Sequence, residues 1–554
     1  MKLKLLTTSI LAGVLFASQN TYAAKYLVKE VTPLDQYRQH FAMNISDNNQ
    51  LVGAVRDSFT PTFYLEDYLY TLTYRGFTCD VSEAEVNSGD FDAYSSDCIR
   101  TALTSTNEAL RLDPRFQKVG DNKATISNAG VAELINLVDV FDADLGALTN
   151  SNIEQLRALN DQGVGVGIAS APFETVSFLQ TGESATTSDE IKYWQQAYTS
   201  RAAVYVNGEV KLLEPVFDLY GGVTEASDIS NSGYVSGSTS TSMTDTVRES
   251  IETDCKGELS PVEVCVWSKS NSGSLYYSRP IVWKLDANGN EESSQLYDLA
   301  FTPTEDQTGN YIATALSVNN SGTATGYGHL FDGDNLFFQP LYFENGETKT
   351  FLDVNEYQRG FGIDINDSGV ITGYIQKDGI SNTQFFLYDT KTQKLETPDS
   401  FYTKSDSTGN GINAAGKVVG VGEYEITTDS ARRKHGFLYD SVTKEFFDLN
   451  ALTECASDYE VIDALAINNN DYIAATALKL VDKRDVLGEV LIDDNGDPIK
   501  EEIAVAVILE PTNGEIEDCT AIENPPNERK GLTNSALFTV GLLLVGLFRR
   551  RIKK

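Results

Sequence analysis

The chain has 554 residues, 41% of them hydrophobic, which is enough to bury a sizeable core. Its formal net charge of −37 repels nucleic acid and anionic lipid and favours solubility and cation binding, with the acids dispersed as on a solvated exterior suited to a salty medium. There is no GxSxG elbow, HExxH or P-loop, and only three histidines; His40 and His435 sit at strand edges of a repeat and read as packing or turn residues.

The chain opens MKLKLLTTSILAGVLFASQNTYA, with Lys2 and Lys4 before an apolar stretch and Thr21 and Ala23 placed for cleavage after Ala23. This is the pattern of a secretory signal peptide, 1–23, and it makes the remainder an exported protein. YLVKEV at 26–31 then reads as an opening strand.

From here a phrase recurs seven times: a small residue, two spacers, Ile/Val/Leu, Asn/Ser, two polar residues, Gly or a substitute, and Gly four later. The copies start at Ile45, Leu159, Ile229, Val318, Ile365, Ile412 and Ile467, and those at Val318, Ile365 and Ile412 are 47 residues apart. The polar tetrad, such as NDSG at 366–369, predicts a tight turn, because Asn, Asp and Gly tolerate positive φ. A "DL" piece (LYDL, FLDV, FFDL) is expected as a strand before each phrase and an aromatic strand after it, as in QFFLYD at 384–389 and HGFLYD at 435–440. Four short strands per ~45–50 residues is the size of a propeller blade. The fold class is therefore all-β, a β-propeller of seven four-stranded blades over 24–522. An open solenoid is the alternative architecture. The position three before the Ile is small in six copies (Ala42, Ala226, Ala315, Gly362, Gly409, Ala464) and Leu156 in the other, so neighbouring backbones are expected to crowd there.

In the first unit Phe63–Leu65 is taken as the aromatic strand, and ISNAG at 126–130 as part of an insertion. Three insertions interrupt the period: about 66–142, with helix-like runs such as 131–142; 171–200, where Thr187-Ser188-Asp189-Glu190 reads as a capping box opening a helix with Trp194; and 238–280. Insertions in repeat folds gather on one face, often the binding face, so these are the expected seat of function. The run Gly163, Gly165, Gly167 reads as a repeat turn and not as a dinucleotide fingerprint.

Six cysteines in the exported part fit an oxidising compartment, and proximity favours Cys79–Cys98, Cys255–Cys265 and Cys455–Cys519 among 15 connectivities. Asp493, Asn495 and Asp497 in DDNGD, and Asp286, Asn288 and Asn290 in DANGN, alternate oxygen ligands around a Gly. Both lack the Glu of a calcium loop, with Ala504 and Tyr297 in its place, so a hairpin turn is the simpler reading and calcium at Asp493, Asn495 and Asp497 the alternative. The last piece of the ring is EIED at 515–518, expected to share a blade with the opening strand.

A linker follows at 523–531, with Pro525 and Pro526, and then 532–548, an uncharged and mostly apolar run ending in a basic tail at 549–554. Seventeen helical residues span roughly 26 Å, enough for a thin bilayer. Basic residues after the span stay on the cytoplasmic side, so the body lies outside. The layout resembles the sorting tails of bacterial envelope proteins, although Gly531 stands alone where one such class carries paired glycines; a plain inner-membrane anchor is the other reading.

The phrases GFGIDINDSGVITG with FFLYD and GNGINAAGKVVG with HGFLYD resemble the HAF-type extracellular repeat. The whole chain is similar to a Gram-negative envelope family known only as a domain of unknown function. The resemblance implies a propeller at the periplasmic or cell-surface side and brings no catalytic residue. The expected function is a membrane-tethered binding or scaffold module for an envelope protein or glycan. The alternative is a hydrolase or lyase on a glycan or envelope polymer, using paired carboxylates.

Overall fold

The computed structural model describes residues 25–60, 90–104, 122–143, 147–181, 190–272, 275–304, 309–332, 335–426 and 432–516, with four isolated positions between 81 and 115. Residues 1–23, expected as a leader cleaved after Ala23, and 532–548, expected as a membrane span, lie outside them. Among the described residues no helix is long and apolar enough to cross a membrane.

The architecture is all-β and propeller-like. Seven four-stranded antiparallel units, numbered here as sheets 1 to 7, follow one another in the chain; units 4 and 5 are joined into one eight-stranded sheet by a single parallel pair, Phe338 with Arg359. Sheet 1 comprises Tyr37–Ile45, Leu51–Ser58, Lys123–Asn128 and Val131–Ile135; sheet 2 Glu154–Leu159, Gly165–Ala169, Arg201–Val206 and Glu209–Leu213. Sheet 3 comprises Thr224–Ile229, Tyr234–Met243, Tyr276–Leu285 and Glu291–Leu296; sheet 4 Ala313–Val318, Ala324–Asp332, Asn335–Glu344 and Glu347–Thr350. Sheet 5 comprises Tyr357–Ile365, Val370–Lys377, Gln384–Asp389 and Lys394–Glu396; sheet 6 Ser407–Ile412, Lys417–Glu423, Lys434–Asp440 and Glu445–Asp448. Sheet 7 takes Tyr459–Ile467, Ile473–Asp482 and Lys500–Pro511, and its outer strand is the chain's first, Tyr26–Glu30, paired with Lys500–Pro511. Each sheet packs on the next, and the seventh packs on the first.

The repeat phrase is the hairpin between the first two strands, and its spelling has a geometric cause. The fourth tetrad position has positive φ in all seven copies, at Asn49, Gly163, Gly233, Gly322, Gly369, Gly416 and Asp471. Asn and Asp are the substitutes that tolerate this conformation. Every inner strand also carries a register shift two residues before the Ile, for example between Gly362 and Asp364. This bulge turns a carbonyl towards the second strand. A Cβ on Gly167, Gly237, Gly326, Gly373 or Gly420 would meet it at 1.9 Å, which is why Gly recurs four residues after the turn. The small residue three before the Ile meets the neighbouring sheet, as expected: a Cβ on Gly362 would come within 2.2 Å of Thr325 Oγ1, and one on Gly409 within 2.2 Å of Thr372 Oγ1.

Several expectations are corrected. The third strand of sheet 1 is Lys123–Asn128, and Phe63–Leu65, expected there, lies outside the described residues; ISNAG is the turn into Val131–Ile135, with Ala129 and Gly130 at positive φ. The first insertion is therefore 59–122, and the helix-like run at 131–142 is strand and turn. IKYWQ is no helix; Glu190–Gln195 pairs with Glu174–Leu179 as a hairpin, and this tertiary pairing outweighs the local cap signal, whose residues 187–189 lie outside the described ones. The closing strand is Lys500–Pro511, and the described part of EIED forms none. The "DL" pieces end a sheet rather than begin one: Glu445–Asp448 is an outer strand, and FLDV is no strand.

Candidate functional site

The tetrads use their polar groups on each other. Asn366 accepts at Oδ1 from the backbone N–H of Ser368 and Val370 at 3.1 and 3.0 Å, closing its own turn. Its Nδ2 donates to the carbonyl of Asn413 in the next sheet at 3.0 Å. An amide carries its acceptor and its donor on two separate atoms, so the oxygen closes the turn while the nitrogen reaches the neighbour. The same link joins Asn160 to Ser230, Asn319 to Asn366, Asn413 to Asn468 and Asn468 to Ser46. A second layer has backbone N–H groups donating to the next tetrad's side chain, at Asp47 to Asp161, Asp161 to Asn231, Ser232 to Asn320, Asn320 to Asp367, Ala414 to Asn469 and Asn469 to Asp47. Where Ser46, Ser230 or Ala414 interrupts one layer, the other spans the junction. All seven junctions are bridged, and the depression between the tetrads is only about 160 Å³.

Deeper along the same inner strands, Asp228, Ser317 and Asp364 converge. Ser317 Oγ lies 2.8 Å from Asp228 Oδ2 and 2.6 Å from Asp364 Oδ1. The backbone N–H groups of Val318 and Ile412 donate to Asp228 and Asp364 at 3.1 and 2.8 Å. A hydroxyl has one proton to donate, so one of its two carboxyl contacts requires a proton on the acid. Burial, and then the charge of Asp364, push the Asp228 carboxyl up to about 6; burial also raises Asp364. Nearby, burial pushes Asp463 up to about 6 despite Lys434 and the 2.8 Å hydrogen bond from Asn410. Paired acids of this kind hold and exchange a proton.

The opposite face is built differently. All long insertions occupy the same place, between the second and third strands of a sheet: 59–122, 170–200, 244–275 and, unforeseen from the sequence, 483–499. They touch one another. The Trp194 N–H donates to the Pro114 carbonyl at 2.6 Å, Thr181 to Glu258 at 2.7 Å and Thr60 to Val486 at 2.8 Å. Phe173, Trp194 and Trp267 form one buried cluster between the second and third insertions. The helices here are α1 (Ala93–Thr104), α2 (Asp245–Asp254) and α3 (Val262–Ser272). The Cys255–Cys265 disulfide ties the end of α2 to α3. Cys98 and Cys455 are also disulfide-bonded, with partners outside the described residues, as Cys79 and Cys519 are.

Two cavities open on this face. One, about 550 Å³, lies between sheets 7 and 1. Two of its cations are paired in place: Lys479 with Glu30 at 2.5 Å, and Arg38 with Glu501 at 3.8 Å and the Arg484 carbonyl at 2.7 Å. His40, also in its wall, has Nε2 2.9 Å from Thr125 Oγ1, and burial lowers it to about 4, so it is neutral at pH 7. The other, about 310 Å³, lies between the Glu174–Gln195 hairpin, the turn at 220–222 and α3.

The remaining candidates stay apart. His329 Nδ1 accepts from the Ile312 N–H at 2.9 Å, and His435 pairs with Asp448 at 2.7 Å. Asp493 accepts from the N–H groups of Asn495 and Asp497 at 2.8 and 3.0 Å in an exposed hairpin turn with Gly496 at positive φ. Asp286 does the same for Asn288 and Asn290, at 2.8 and 2.9 Å. Gly163 lies in a repeat turn. No signal in the linear sequence marked the cavity residues, which come from segments far apart in the chain, from Glu30 to Val505 in the larger cavity and from Glu174 to Tyr276 in the smaller.

Residues 1–551 match the family described as "Protein of unknown function (DUF3466)", and the chain belongs to it. No curated protein matches. Among solved structures the chain is similar to a puromycin-hydrolyzing peptidase of Mycobacterium tuberculosis (9% identity, TM-score 0.36, 85% of this chain and 56% of that one). It is also similar to the β-propeller domain of the Trilobed protease from Pyrococcus furiosus (9%, 0.37, 89% and 99%). A third is an oligogalacturonate lyase from Vibrio parahaemolyticus (10%, 0.35, 89% and 98%).

Proposed function

We infer that this DUF3466 member is a seven-bladed β-propeller, exported and tethered by its C-terminal apolar segment, that binds an envelope component through its insertion face. The observation that carries the reading is the common position of the four insertions, which sends all of them to one side and leaves the other to the tetrads. The tetrads' hydrogen-bonding groups are committed between sheets, so the recurring polar residues serve the ring. The leader and the Cys255–Cys265 bridge accord with an oxidising compartment outside the cytoplasm. The test is co-sedimentation of the full-length protein, in non-ionic detergent, with insoluble Gram-negative envelope material. Replacing the 174–195 hairpin by a short turn abolishes sedimentation on this reading, and Asn320→Ser on the tetrad face leaves it unchanged. The reverse pattern, or no sedimentation at all, overturns it.

A second reading, hydrolysis or lysis of an envelope polymer, is favoured by one observation, the Asp228–Ser317–Asp364 arrangement. It requires turnover that Asp364→Asn abolishes without unfolding the protein.

A further inference from the structure

The smaller cavity has a lining with a definite chemical bias. Tyr198, Tyr220, Trp267 and Tyr276 contribute four aromatic rings, Glu174 and Glu263 contribute carboxylates, and among the described lining residues there is no Lys, Arg or His. Aromatic faces carry negative electrostatic potential and attract cations, Trp most strongly. Two carboxylates and a strongly acidic protein add to that field. The Tyr198 ring already shows this property: the Arg201 guanidinium lies 4.6 Å from its centroid. That cation is buried behind the wall, donating to the carbonyl of Gly221, a lining residue, at 2.9 Å and lying 3.6 Å from Glu214.

The wall is also set in advance. Trp267 is only 5% exposed and packs edge-on against Phe173, and α3 is tied to α2 by Cys255–Cys265. The Tyr276 hydroxyl is committed to the Leu219 carbonyl at 2.7 Å and the Gly222 N–H at 3.1 Å, so this residue offers a ring rather than a free polar group. Tyr220 holds a left-handed backbone, φ 59°, and stays 43% exposed beside the cavity. A left-handed backbone is strained for a tyrosine, and such strain gathers at ligand clamps. A volume of about 310 Å³ is at the small end for ligand sites.

We propose that this cavity binds a small monocationic quaternary ammonium ion, of the size and chemistry of choline. A quaternary nitrogen has no N–H to satisfy, which suits walls of rings better than a primary ammonium does. The two carboxylates disfavour zwitterions such as betaine. This inference rests on the binding-module reading and names a ligand class for one site on its face.

The test uses the full-length protein in non-ionic detergent, titrated with choline chloride by calorimetry and by tryptophan fluorescence. The uncharged isostere 3,3-dimethylbutan-1-ol and glycine betaine serve as the other arms. The expected result is saturable choline binding, at least tenfold weaker binding of both comparators, and a loss of about fivefold in Glu263→Gln and Tyr220→Ala. Glu263 is exposed, so its variant keeps the fold. Equal binding of the isostere, or no choline binding by folded protein, overturns the proposal. If choline fails while envelope sedimentation still depends on the hairpin, only the ligand class falls; if both fail, the binding-module reading falls with it.

Discussion

Asn468 donates from Nδ2 to the carbonyl of Ser46 at 2.8 Å, joining the last repeat to the first across 422 residues of chain. The same junction is held by the Asn469 N–H on Asp47 at 2.7 Å and by the strand Tyr26–Glu30 in sheet 7. Asn468 is buried and also accepts from the Tyr472 N–H at 2.9 Å, so removing its amide strands groups on both sides. Asn468→Ala is expected to cost about 1–3 kcal/mol, read from the urea midpoint. Asn469→Ser, in the exposed layer where the Asn413 and Asn468 amides span the same junctions, is expected to stay within about 0.5 kcal/mol. Equal effects at the two sites would refute the ring argument.

The bulge makes a second expectation sharp. A Cβ on Gly373 meets the Phe361 carbonyl at 1.9 Å, whereas one on Gly379 has nothing within 4 Å. Gly373→Ala must move backbone in a buried hairpin and is expected to lose about 2–4 kcal/mol. Gly379→Ala bears only the left-handed penalty, about 1 kcal/mol. Thermal melts of the two variants decide it: similar midpoints would mean that the bulge yields easily.

These two cases also mark what the sequence discloses. The seven turns, the positive-φ position and the crowded small residue were all legible, because each is a local backbone demand that recurs at one place. Sheet 1 was misread because its second and third strands are separated by 59–122, and the aromatic run at Phe63 was nearer than KATISN. ISNAG looked like a displaced tetrad because a hairpin turn between outer strands demands the same residues, with Ala129 and Gly130 at positive φ. Glu190–Gln195 followed a capping-box pattern, and its strand state is set by pairing with Glu174–Leu179, a tertiary fact. Neither the acid pair nor the aromatic cavity has a linear motif: Asp228 and Asp364 are brought together by ring geometry through Ser317.

Asp228 yields a pH-dependent expectation. Its folded pKa is about 6, against 3.8 as the ordinary value, so the folded state keeps a proton that the unfolded chain loses. Stability therefore falls as pH rises from about 4 to 6, and the cost is fully present above that window. Asp228→Asn retains an oxygen for the Val318 N–H and removes the repulsion with Asp364. It is expected to stabilise the protein at pH 8 by on the order of 1–3 kcal/mol and to give no gain below pH 4. Denaturant midpoints at the two pH values test this, and a gain independent of pH would contradict a shared proton.

The disulfide of the third insertion closes a short loop, with a sequence separation of 10, far from the inner strands. Chain-entropy arguments give a bridge over a loop of this size about 3 kcal/mol. That stabilisation acts locally, because the insertion's own cluster of Met243, Ile251, Val266, Leu275 and Tyr276 is small and separate from the cores between sheets. The Cys255→Ser, Cys265→Ser double variant is therefore expected to lose amide protection across 245–272 by about a hundredfold, while sheets 4 to 6 keep theirs. Trp267 leaves its buried position when α3 loosens, and the emission maximum moves to longer wavelength. Hydrogen exchange read segment by segment separates this from global destabilisation. Uniform loss of protection would mean that the insertions fold as one unit with the ring, and unchanged protection would mean that α3 is held by Phe173 and Trp194 without the bridge.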